Sequence, residues 1–190
     1  MRFSHPSLSC LLLLVSVAPC FLHSQGFPPA ENADSLFFSA QRFQRTGDLN
    51  SAKRQVRYLL SRSPAYHDAR VLYGRLCAWE GDYQLALVQF DSVLTARFDH
   101  QEAKLAKAQV LSWMRRHRQA VELLQSLVED SPTSALYLYE LGKVYWMGGT
   151  PRKGLEYYEQ AYLQDPMSQE IIRGLARVHR QLRSHELSLY

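Results

Sequence analysis

Apolar residues in the middle of the chain recur at the three-and-four spacing of a helix with one buried stripe. They fall at Leu72, Tyr73, Leu76 and Cys77, then, past Gly81-Asp82, at Leu85, Ala86, Phe90, Val93 and Leu94. This pattern predicts a helix over Asp68 to Glu80, a turn at Gly81-Asp82 and a partner helix over Tyr83 to Thr95. The same hairpin then recurs along the chain. A step of 34 from Ala52 reaches Ala86, Ala120 and Gly154, and the same step from Ala40 reaches Gly74, Ala108, Gly142 and Ala176, all small. Three places after the second series stand Phe43, Cys77, Leu111 and Tyr145. Gly47, Gly81 and Gly149 share a turn position that holds Arg115 in the third copy, while Pro64, Pro132 and Pro166 share a boundary that holds Phe98 in the second. Small residues such as Gly74 and Ala86 let the paired backbones approach closely. A boundary proline stops the second helix because it lacks the amide that the next turn needs.

The register gives units at 33–66, 67–100, 101–134 and 135–168 without an insertion. After Ser168 an apolar face, Ile171, Ile172, Leu175, Ala176, Val178 and Leu182, opposes Arg173, Arg177, Arg180 and Arg183. A terminal helix of this kind covers the last exposed stripe of a solenoid; a basic docking helix is the other reading.

The 34-residue period with Leu141-Gly142, Tyr145, Gly149, Tyr158, Ala161 and Pro166 resembles a tetratricopeptide repeat. Ser39 and Lys107 depart from that pattern where it prefers leucine, as Phe98 does at the boundary. The resemblance implies an all-α fold, a right-handed α-solenoid of about four helix hairpins plus a C-terminal capping helix. A narrower likeness, carried by Asp68-Ala69-Arg70, Gly74 and Ala78-Trp79-Glu80-Gly81, is to the repeat portion of YaiO-type bacterial envelope proteins, in which such repeats precede an outer-membrane β-barrel. Only 22 residues follow Ser168, against at least about eight strands of about ten residues for a barrel. The expectation is a chain without one, either as a barrel-free relative or as a truncated copy.

The amino terminus changes the picture. Arg2 precedes an apolar run from Leu8 to Ala18, and no acidic residue appears before Glu31. Residues 1–24 read as a secretory signal, too short before Pro19 to be a permanent span. Cleavage fits after Ser24 or after Cys20; a lipid-anchored form with Cys20 at the new terminus is a weaker fit, because Pro19 breaks the usual small-residue box. Residues 25–34 then read as a linker, 35–183 as the repeat domain and 184–190 as a tail. The expected location is exported, in the periplasm, with Cys77 as the one cysteine left and no intramolecular disulfide. The whole chain carries 22 Lys and Arg against 18 Asp and Glu. No run of like charge tracks a nucleic-acid backbone, and neither a nucleic-acid partner nor an integral membrane span is expected.

Catalytic chemistry is absent from the pattern. His67, His100, His117, His179 and His185 form no zinc-binding spacing, Gly148-Gly149 is a turn rather than a phosphate loop, and Cys77 lies on a buried stripe. No enzyme activity, metal or cofactor is implied. The resemblance does imply a binding surface, with places 5, 9, 12 and 13 of each first helix pointing into a concave groove. Place 13 holds Arg45, Trp79, Trp113 and Met147; place 12 adds Trp146, place 5 Tyr139, and place 9 Arg75 and Lys143. The candidate partner-binding residues are Trp79, Trp113, Trp146, Tyr139, Arg75, Lys143 and Arg177, an aromatic strip edged with cations. Large rings bury much area with little entropy lost, so a protein segment, extended or helical, is the expected ligand. Packing of each tryptophan against the next unit is the competing reading. The alternative is an accessory protein that handles envelope polysaccharide, since aromatic strips suit sugar rings, or that assists outer-membrane export.

Overall fold

Several helix starts fall where the sequence supplies caps. The Asn32, Asp48, Asp82, His100 and Ser134 side chains each accept a backbone amide of the first turn that follows, satisfying a donor the helix itself leaves open. The computed structural model describes residues 32–187, with side-chain surroundings through 184; the segment read as a signal lies outside them. The helices are α1 Ala33–Arg45, α2 Leu49–Arg62, α3 His67–Trp79, α4 Tyr83–Ala96, α5 Gln101–Trp113, α6 His117–Asp130, α7 Ala135–Met147, α8 Pro151–Gln164 and α9 Gln169–Leu187, and no strand occurs among the described residues. First helices begin at Ala33, His67, Gln101, Ala135 and Gln169, the 34-residue step of the sequence. Two boundaries differ from the sequence reading. The cap at Asn32 starts α1 inside the segment read as a linker, and α9 runs on to Leu187, into the segment read as a tail.

Each hairpin closes on a stripe of buried side chains. In the second unit Leu76, Cys77, Ala86, Phe90 and Val93 are fully buried, and each large apolar one contributes about 1.5–3 kcal/mol relative to exposure. The small residues act as the period predicts. A Cβ on Gly74 would lie 2.5 Å from the Phe90 ring, and one on Gly142 would lie 2.9 Å from the Gly154 carbonyl oxygen. Ala176 is the exception in its series: it is exposed, because α9 has no partner helix among the described residues to press against it. Ile171 and Val178 of α9 are buried, while Ile172 stays 45% exposed, so only part of its apolar face covers the end of the stack.

Successive first helices touch: α3 packs on α5, α5 on α7 and α7 on α9, whereas successive second helices meet less. The first helices therefore form the tighter row. Since each hairpin is antiparallel, all turns within units lie along one edge of the stack and all turns between units along the other. The inter-unit edge carries a repeated bond, in which the residue before a first helix reaches back to the second residue of the preceding one. Tyr66 Oη donates to Asp34 at 2.7 Å, and His100 Nε2 lies 3.1 Å from Asp68 Oδ1. Burial and the Asp34 bond push the Tyr66 hydroxyl up to about 12.

Candidate partner-binding surface

Helical register sets which side chains of the first helices are left over once the core is built. Places one turn apart share a face, so Arg75 and Trp79 on α3 stand beside Gln109 and Trp113 on α5. With Ala78, Ala106 and Val110 they line a cleft of about 70 Å³. Alanines form its floor because α3 and α5 approach closely there. Trp79 and Trp113, the last residues of their helices, remain 48% and 41% exposed, and the Trp113 ring lies 6.2 Å from Tyr83. Trp113 thus spans a joint with one part of its ring and faces the cleft with another.

The remaining candidates gather elsewhere. Trp146 is half-buried, its Nε1 donates to Gln181 of α9, and its Cβ would press on any side chain added at Gly154. Tyr139 is half-buried against Tyr158, with ring centroids 5.5 Å apart, and its hydroxyl is pushed up by burial. Lys143 lies 5.4 Å from the Tyr139 ring centre. Arg177 is exposed on α9 and close enough to oppose the upward shifts of Tyr139 and Tyr158. The seven candidates therefore divide into a cleft between α3 and α5 and a joint among α7, α8 and α9.

The cations of the strip are largely engaged within the protein. Arg75 pairs with Glu102 at 3.2 Å, and Lys143 pairs with Glu140 at 2.5 Å, an ion pair rather than a well-directed hydrogen bond. Glu140 is 5% exposed and also accepts from Gln109 Nε2 at 2.9 Å. A buried carboxylate needs such partners, since an unpaired one carries a large desolvation penalty. Sequence reasoning missed this residue although a signal was present: the 34-step series Phe38, Leu72, Ala106, Glu140 places one acid in an apolar position. It also missed the series Asp34, Asp68, Glu102 and Glu170, first-turn acids that complement the helix dipole and line the other end of the same face.

Cys77 is fully buried and its thiol is pushed up by that burial, which suppresses the thiolate. Among the described residues no cluster of His, Cys, Asp and Glu could hold a metal, and no helix is long and apolar enough to cross a membrane. His100 is a buried helix cap rather than a solvated side chain.

A family model described as the Psidin N-terminal TPR repeats region matches residues 70–185. The chain belongs to this tetratricopeptide repeat family. No curated protein matches it. Among solved structures this tetratricopeptide repeat protein is similar to MamA 41-end from Desulfovibrio magneticus RS-1, at 26% identity and a TM-score of 0.68, over 83% of this chain and 89% of that one. Similarity of fold extends to the tetratricopeptide repeat protein TTC0263 of Thermus thermophilus, with 16% identity, a TM-score of 0.73 and coverage of 80% and 83%. It extends also to pilF of Pseudomonas aeruginosa, with 18% identity, a TM-score of 0.71 and coverage of 80% and 69%. The chain is a helical-repeat scaffold of the type that serves protein–protein interaction.

Proposed function

We propose that the protein is a non-catalytic scaffold that seats a protein segment on its row of first helices, with the α3–α5 cleft as the anchor site. The observation that carries this reading is the pair of exposed indole rings flanking one cleft. Folding leaves Trp79 and Trp113 about half in water, and a ligand side chain entering between them would remove that exposed area. Closer contact among the first helices suits the inner side of a curved stack, which supports taking this row as the concave face. Its ligand is an extended or helical segment with an apolar anchor residue, because the flanking Arg75 and Gln109 are already committed to Glu102 and Glu140. The protein acts in the periplasm on an envelope partner; the Arg2-led apolar run and the YaiO-type phrase around Trp79 support that location. Peptides selected from a displayed library on the wild-type protein test the reading. They should lose binding to Trp79→Ala with Trp113→Ala while helical circular dichroism is retained, and undiminished binding would refute the cleft as the anchor.

A further inference from the structure

The edge formed by the turns within units changes character halfway along the stack. In the first two units the turns read Thr46-Gly47-Asp48 and Glu80-Gly81-Asp82. Their glycines take positive φ, 80° and 88°, and their aspartates cap α2 and α4. In the third unit the same places hold Arg115 and Arg116. Arg115 is forced to φ 61°, the single non-glycine residue there among those described, and α6 has no side-chain cap. In the fourth unit Gly149 keeps the turn, but Thr150 gives α8 no side-chain cap, and Arg152 and Lys153 follow. Arg115, Arg116, Arg118, Arg152 and Lys153 are all exposed, and the two turns adjoin, since a Cβ on Gly148 would lie 3.4 Å from that of His117. Where the first two turns carry Asp48, Glu80 and Asp82, this half carries five cations, of which Arg118 pairs with Glu122, Arg116 donates to the neutral Gln119 and Lys153 lies 4.4 Å from the Tyr145 ring centre.

The choices made in the third unit disfavour folding. A non-glycine residue in the left-handed region is strained, a missing cap leaves amides open, and cations at a helix start oppose its dipole. Three local rules are broken at the third-unit turn, and two of them again in the fourth, while the first two units keep them, which is the pattern of a surface selected for a partner. We propose that the edge carrying the α5–α6 and α7–α8 turns docks on an anionic phospholipid surface. The five side chains are spread over two adjacent turns and stand in open solvent, the layout suited to a charged plane rather than to one enclosed phosphate. Trp113, exposed at the end of α5 on the same edge, is a side chain of the kind that settles at headgroup level. Contact is peripheral and electrostatic, shares only Trp113 with the cleft, and weakens as salt rises.

Co-sedimentation with vesicles, one set containing phosphatidylglycerol and one of phosphatidylcholine alone, tests the proposal. The wild-type protein should bind the anionic set only and release on added salt. Arg115→Gly with Arg116→Asp rebuilds the turn of the first two units. It should melt higher than wild type yet bind the anionic vesicles at least about tenfold more weakly, since each basic residue near such a surface contributes several-fold. Arg152→Gln with Lys153→Gln should weaken binding without touching the strained turn. Equal binding to both vesicle sets, or full binding by the rebuilt turn, would overturn the proposal. Displacement by inorganic phosphate, or tighter binding to duplex DNA than to vesicles, would overturn the lipid assignment.

Discussion

The α3–α5 interface and the α7–α9 interface are built on the same places of the repeat, yet they leave their aromatic side chains in different situations. Between α3 and α5 the facing residues are Ala78 and Ala106, so Trp79 and Trp113 stand at the rim of a small cleft. Between α7 and α9 the ring is moved one place earlier, to Trp146, where it presses near Gly154 and bonds to Gln181. Tyr139 and Tyr158 fill the rest of that joint, against Gly142 and Gly174. One residue of register separates a ring left half in water from a ring used as mortar. An exposed aromatic in a repeat protein is therefore informative only together with the size of its neighbour on the next first helix.

Substitutions can break this contrast. Tyr158→Ala should have the largest effect, about 3–5 kcal/mol of stability by urea unfolding, since the side chain is fully buried and both α7 and α9 pack on it. Trp146→Ala should cost about 2 kcal/mol through lost packing and a lost hydrogen bond. Trp79→Ala should cost about 1 kcal/mol, since nearly half of that ring is already in water. Equal losses for the two tryptophans would erase the distinction. Arg115→Gly should raise stability by about 1 kcal/mol, read as a higher melting temperature, whereas Gly81→Arg should lower it.

The inter-unit edge offers a smaller effect. The folded state holds the Tyr66 hydroxyl at about 12, above its ordinary 10. Its contribution is therefore complete below about pH 10 and fades as pH rises toward about 12. Melting temperature should fall over that window, and less so in Tyr66→Phe, which has no proton to lose; an unchanged slope would remove the Tyr66–Asp34 bond from the account.

The hairpins were legible in the sequence because their determinants are local and periodic. Gly47, Gly81 and Gly149 sit where φ must be positive, and Gly74 and Gly142 sit where helices cross closely. The division of the candidate site was not legible, because it depends on how deep each ring sinks at a joint, and that is set by residues on another helix such as Ala106, Gly154 and Gln181. Glu140 shows a third case. Its place in an apolar series was visible, and so was Lys143 three residues on in α7, but Gln109, the other partner that makes its burial tolerable, reaches it only when α5 meets α7. Arg115 was visible as a departure from the turn glycine, and its positive φ turns that departure into a cost.

Collisional quenching of tryptophan fluorescence by iodide, on three variants that each retain one indole, probes the central distinction most directly. The emission of Trp79 and of Trp113 should be quenched readily and become protected when a selected peptide is added, while that of Trp146 should be shielded from the start and unmoved by the peptide. A Trp146 as open to iodide as the other two, or a Trp79 and Trp113 that no bound peptide protects, would contradict the account.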